Sequence, residues 1–182
     1  MDIPSLLKEV AERVKGDFSH VEDKLNGPSG TRIHYSIYTI KCEYKSQQII
    51  IENQFGYQDL GTFTCALPLV AHMDEFRIET MSARRQLFNP KKLAIKINAS
   101  DPGFEKHIRS LDSFNELSQR ATRQQFEPLV KGYLKDDVFI LWCGYHLIFK
   151  HQEKVIEPLL RFFYDLIDYY LSEGSDEHEL KK

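Results

Sequence analysis

The residues best equipped for chemistry in this chain sit in "WCGYH" at 142–146, where Cys143 and His146 lie three positions apart beside a glycine. A thiol next to an imidazole is the minimal nucleophile and base of covalent catalysis. In an extended chain, however, positions i and i+3 point to opposite faces, and no signature of a cysteine enzyme surrounds the pair. Cys143 and His146 are therefore the catalytic candidates the sequence offers, while the expectation is a buried cysteine beside an outward histidine. Cys42, Cys65 and Cys143 form an odd, widely spaced set, which predicts reduced thiols. No C-x-x-C, H-x-x-x-H or H-E-x-x-H spacing supplies two metal ligands from one element, so neither metal nor cofactor is expected. "NGPSG" at 26–30 lacks the Lys-Ser/Thr of a phosphate-binding loop, and nothing reads G-x-G-x-x-G after a strand.

Two stretches suggest binding instead. In "SARRQLFNPKKLAIK" at 82–96, Arg84, Arg85, Lys91, Lys92 and Lys96 surround Phe88 with no acidic residue among them. Such a segment suits phosphates, an anionic surface or an acidic protein partner; it also reads as a solvated loop and a lysine-protected strand edge. In "EPLLRFFYDLIDYYL" at 157–171, Arg161, Asp165, Asp168 and Ser172 draw one narrow polar stripe along a helix and leave the rest of its girth apolar, with Arg161 and Asp165 spaced to pair. One sheet face cannot hide that width. Phe162, Phe163, Tyr169 and Tyr170 thus need a second cover, either the chain's other helices or another subunit, and are the candidate interface residues.

Periodicity supplies the elements that must position these groups. Apolar residues from Ile3 to Leu25 recur in steps of three and four, predicting an N-terminal helix over 3–25 that is weakened at Gly16 and Asp17. "TRIHYSIYTIKCEY" at 31–44 and "QQIIIEN" at 47–53 read as a hairpin about "KS", and the drift from Ile33, Tyr35 and Ile37 to Tyr38, Ile40 and Cys42 predicts a bulge or a change of face near Tyr38. "GTFTCAL" at 61–67 and "EFRIETM" at 75–81 alternate, completing a four-stranded meander, and "LAIKIN" at 93–98 adds a fifth strand. Asp101 and Pro102 open a helix, and Ser113 to Glu116 has capping-box spacing for another that begins at Phe114 and is interrupted at Pro128. "DVFILWCGYHLIFKH" at 137–151 supplies β structure, a hairpin or a strand kinked at Gly144, before the last helix from about Pro158 to Ser172. The result is an α+β fold: a mostly antiparallel sheet of about five or six strands, with N-terminal, middle and long C-terminal helices on one face. Residues 1–172 form one domain and 173–182 a disordered polar tail.

This order, with Asp101, Phe104 and Glu105 opening the segment after the sheet and "VFILWCGYHLIFKH" and a long helix closing it, resembles an uncharacterised bacterial α+β domain family over about residues 30–172. The resemblance implies the fold and carries no activity, catalytic residue or cofactor.

A net charge of −3 argues against nucleic acid, whose phosphates call for a basic face, and 42% hydrophobic with 28% charged residues marks a chain that folds. Neither a secretory signal nor a membrane span is read in it, so a cytoplasmic protein is expected. The leading functional expectation is a non-enzymatic module that binds a protein partner or its own copy. The alternatives are a small-molecule or enzymatic site between sheet and helices, lined by tyrosines and reached by Cys143, His146 or His34, and binding to nucleic acid or an anionic surface through the basic segment.

Overall fold

The structure, a computed structural model, describes residues 2–26, 30–69, 73–81, 87–88, 94–124, 126–149 and 151–173. In chain order the elements are α1 (Ile3–Arg13), β1 (Asp17–Asn26), β2 (Arg32–Tyr44), β3 (Gln47–Phe55), β4 (Leu60–Pro68), β5 (Phe76–Thr80), β6 (Ile95–Ala99), α2 (Pro102–Ser110), α3 (Asp112–Gln124), β7 (Leu129–Lys135), β8 (Val138–His146), a 3-10 turn (Gln152–Val155) and α4 (Ile156–Glu173). The strands form one eight-stranded sheet in the order β1-β2-β3-β4-β8-β7-β5-β6, and every pairing is antiparallel. The α+β class is as expected, but the sheet has two more strands than the expected upper count.

The first added strand replaces half of the expected N-terminal helix. Asp2 caps α1 by accepting from the Ser5 amide at 3.2 Å, and the helix stops at Arg13. Lys15 then turns left-handed at φ 54, and Gly16 lies so close to β2 that a Cβ there would meet Ile40 Cγ2 at 2.8 Å. The chain is forced into the sheet, and Phe18, Val21 and Leu25, whose spacing mimicked a helix, lie on an edge strand paired with β2 from Asp17↔Lys41 to Asn26↔Arg32.

The second added strand is β7. It follows Pro128 and pairs with β8 through a two-residue turn at Asp136 and Asp137, both at positive φ, the geometry that matches strand twist. Lys45 and Ser46 make the same kind of turn between β2 and β3, as "KS" predicted. Of the expected meander β2 to β4 hold, with β1 added before them. Beyond β4 the neighbour is β8, so β5 sits two strands further out, between β7 and β6. Gly144 lies within an unbroken pairing of β8 with β4 and β7, neither kinking the strand nor turning it.

The register of β2 with both neighbours skips no residue, so there is no bulge at Tyr38. The change of face is literal. Tyr38, Ile40 and Cys42 point into the core, whereas Ile33, Tyr35 and Ile37 project from the opposite face.

All the helices that meet the sheet do so on one side. Phe63 on β4 packs on Phe163 of α4 with ring centroids 5.4 Å apart, and Tyr170 is held among Phe76, Phe104 and Phe139. α2 and α3 flank the same helix. Asp101 caps α2 by accepting from the Gly103 and Phe104 amides at 2.8 and 3.0 Å. α3 begins at Asp112, earlier than its capping-box spacing suggested, because Ser113 is spent on α4: its hydroxyl donates to Asp165. Arg161 accordingly does not pair with Asp165; its guanidinium bonds Glu116 on α3. Asp168 receives Tyr44 at 3.0 Å and Lys45 at 2.7 Å. The polar stripe of α4 is thus a row of ties to its neighbours. The expected tail after Glu173 lies outside the described residues, and no described helix is long and apolar enough to cross a membrane.

Truncating Phe163, fully buried between β4 and α4, removes a ring the packing cannot replace. Phe163→Ala should lower unfolding free energy by about 3–5 kcal/mol in urea titration, against about 1 kcal/mol for loss of the Asp101 cap in Asp101→Ala.

Candidate functional site

Among the described residues the helices leave the other face of the sheet open, and the strand register determines what stands on it. One row runs Asn98, Arg77, Lys131, Trp142, Thr64, Ile50 and Lys41 from β6 across to β2. The next runs Lys96, Glu79, Leu129, Gly144, Thr62, Glu52 and Thr39. Trp142, the chain's single tryptophan, stands half-buried near the middle. Its indole lies over Gly144, where a Cβ would come within 2.2 Å of Cη2. The ammonium of Lys131 stands 5.5 Å from the ring centroid, within cation–π range.

Beside the indole is a groove of about 340 Å³. Gly144 and Leu129 form its floor, Leu60 and His146 one side, Arg77 and Glu79 the other, and Thr80, Glu127 and Pro128 its end. Arg77 pairs with Glu79 along β5, and the Thr80 hydroxyl donates to the Pro128 carbonyl at 3.0 Å. A second, shallower depression of about 530 Å³ begins on the far side of Arg77 and Lys131 and reaches Tyr133, Asn98 and Ser100. Arg77 and Lys131 are directly opposite on adjacent strands. Like charges in that position repel, a repulsion that the Arg77–Glu79 pair offsets in part.

The sequence candidates separate on this frame. Cys143 is fully buried on the helix side of β8, where burial pushes its thiol far up, while His146 is exposed on the open side. They share a strand and no site. Cys42 and Cys65 are also buried, with thiols pushed up by desolvation to about 11 and about 12. Phe162, Phe163 and Tyr170 belong to the core, and the half-buried Tyr169 packs against Phe104 and His107. Within the chain, α2 and α3 supply the second cover of α4. The tyrosines expected to line a crevice between sheet and helices include Tyr145 and Tyr170, both buried, which donate to Asn53 Oδ1 at 3.1 Å and the Asp74 carbonyl at 3.0 Å. His34 is exposed near the tip of the β1–β2 hairpin.

Of the basic segment, Arg84, Arg85, Lys91 and Lys92 lie outside the described residues. Lys96 is exposed on the open face, opposite Glu79. Phe88 is 80% exposed. The segment's two ends are fixed: the Met81 amide donates to the Ala94 carbonyl at 2.7 Å, next to Thr80 at the groove's end.

Sequence reasoning missed Trp142, Arg77 and Lys131 as a group. Trp142 and Lys131 are in plain alternation with core residues, but only the β7–β8 and β5–β7 pairings bring the three together. Among the described residues no cluster of three histidine, cysteine or acidic side chains is placed to hold a metal ion. Comparisons with protein-family models, with curated proteins and with solved structures find no match to this chain.

The buried thiols carry a pH signature. Their protons are held more tightly in the folded than in the unfolded chain, whose cysteines titrate near 9.0, so this contribution to stability is whole below pH 9 and declines as pH rises toward 11 and 12. Urea midpoints should fall across that interval, the fall should be smaller in Cys65→Ala, and native thiols should label slowly with a disulfide reagent at pH 8 but completely in denaturant.

Proposed function

We propose that this protein is a non-catalytic binding module that receives an acidic segment of a partner protein on the open face of its sheet, with Trp142 as the anchor. The observation that carries the reading is the row Arg77, Lys131, Trp142: two opposed cations next to a half-buried indole on a face no helix covers. An apolar or aromatic side chain fits the groove against Trp142, Leu129, Leu60 and Pro128, and neighbouring carboxylates answer Arg77, Lys131 and Lys96.

Protein is favoured over nucleic acid because Glu79 and Glu127 line the same groove. A continuous phosphate backbone meets both carboxylates, whereas a peptide spaces its charges to avoid them. Binding is favoured over catalysis because the most reactive side chain of the sequence, Cys143, lies across the sheet from the groove, and the groove hydroxyl, Thr80, is committed to a backbone carbonyl.

The single tryptophan makes the test direct. A synthetic peptide of Asp and Glu flanking a central Phe should shift Trp142 fluorescence saturably, and Arg77→Glu with Lys131→Glu should weaken binding by about tenfold or more, since each 1.4 kcal/mol is a decade. An unchanged spectrum at millimolar peptide, or tighter binding of a single-stranded oligonucleotide of equal charge, would sink the reading.

A further inference from the structure

The two edges of the sheet are built differently. β6 is five residues long, carries the exposed Lys96 and has α2 against it, a blunted edge of the kind that discourages pairing. β1 is ten residues long, without proline or bulge, and from Ser19 to Asn26 every residue is exposed. On its outward side no strand pairs with it among the described residues. Val21 is 57% and Leu25 37% exposed, and both stand on the open face beside Ile37 and Ile33 of β2. Its charged side chains, Asp17, Glu22, Asp23 and Lys24, leave this edge open only to a strand that answers them, and the exposed Val21 and Leu25 give such a strand an apolar contact.

The hairpin adds a second constraint. β3 ends at Phe55, opposite Ser36, so the stretch Arg32–Tyr35 of β2 has only β1 paired with it as a strand, the turn at Gly56 lying against His34 and Tyr35. Its outer half is a two-stranded ribbon, an arrangement marginal in water without a third strand.

We infer that β1 pairs antiparallel with β1 of a second copy of this chain, about a two-fold axis at Val21 that joins the two sheets edge to edge. The two-fold keeps each face of the sheet on its own side, so the paired residue numbers must sum to an even value, and among the four registers that pair most of the strand, centred on His20 to Asp23, its own charges select. With Glu22 at the axis the two Glu22 carboxylates oppose each other and His20 meets Lys24. With Asp23 there, two aspartates meet. With His20 there, Asp17 opposes Asp23 twice over. With Val21 at the axis His20 faces Glu22, Ser19 faces Asp23, Phe18 faces Lys24, and no like charges meet.

The same register resolves the ribbon. Glu22 to Leu25 of one copy lie along Asp17 to His20 of the other, where the partner's sheet is at full width, so each projecting half gains the third strand it lacks. On the open face Ile37, Val21 and their two counterparts form one continuous apolar row. His20, already stacked on Tyr38 with centroids 4.4 Å apart and 3.6 Å from its own Glu22, is held ready for the partner's carboxylate. This contact uses no residue of the Trp142 groove and does not depend on the function proposed for it.

Sedimentation velocity on the full chain should show monomer giving way to a species of twice the chain mass between low micromolar and a few hundred micromolar. Val21→Asp, which sets two carboxylates together at the axis but alters only an exposed side chain of the monomer, should weaken the dimer by about tenfold or more while leaving the circular dichroism spectrum unchanged. Register is read separately. Val21→Cys should cross-link to its own copy under mild oxidation, whereas Lys24→Cys, which faces Phe18, should not. A chain that stays monomeric over the whole range, or equal cross-linking of the two cysteine variants, overturns the proposal.

Discussion

The last helix sets the terms for everything else in this fold. Its girth is apolar almost all the way round, and the chain buries it by placing the sheet beneath it and α2 and α3 beside it, until Phe162, Phe163, Leu166, Ile167 and Tyr170 are shut away from water. Each of the four polar positions has a use in that closure. Arg161 and Asp165 reach α3, Asp168 reaches the β2–β3 turn, and the Ser172 hydroxyl caps its own helix by donating to the Tyr169 carbonyl. Because all the covering helices are drawn to one side, the sheet has a dry face and a wet one. Inward residues of the central strands are fully buried, and their neighbours one position along are not, except Gly144, which the Trp142 ring covers.

That asymmetry explains which features were legible in the sequence. Alternation in "GTFTCAL" and the girth of "EPLLRFFYDLIDYYL" are local signals of one-sided and all-round burial, and both elements appear where they were expected. The cap at Asp101 is likewise chemistry within three residues. β1 was hidden because Phe18, Val21 and Leu25 are spaced as a helix would space them, and what overrides that spacing is the contact of Gly16 with Ile40, which no local rule contains. β7 was hidden because "LVKGYLK" puts a glycine where a strand wants bulk. Gly132 is there because the rings of Phe76 and Phe139 cross it from both neighbouring strands, and that crowding exists only once β5, β7 and β8 are side by side.

The candidate site was less legible still, and for the same reason. Arg77, Lys131 and Trp142 come from three strands separated by up to 65 positions in the chain, and their row exists only through the β5–β7 and β7–β8 registers. The motif that drew attention first, Cys143 with His146, lies on one strand and is divided by it. Residues Asp101, Phe104 and Glu105, on which the family resemblance rested, have structural duties here: a cap, a buried ring against Tyr170 and Phe76, and an ion pair with Arg109.

Three sheet glycines separate what the core requires from what it does not. Gly61 and Gly132 face the core, where a Cβ would strike the ring of Tyr145 in the first case and those of Phe76 and Phe139 in the second; any sequence burying those aromatics needs them. Gly144 faces the other way. What crosses it is Trp142, itself on the open face, so no core contact requires either the missing side chain or the indole laid over it. A half-exposed tryptophan on solvent is a poor choice for solubility, and a glycine in a central strand weakens it by losing side-chain packing. Two costs at adjacent outward positions of one strand, neither serving the core, are what the proposed binding surface would account for.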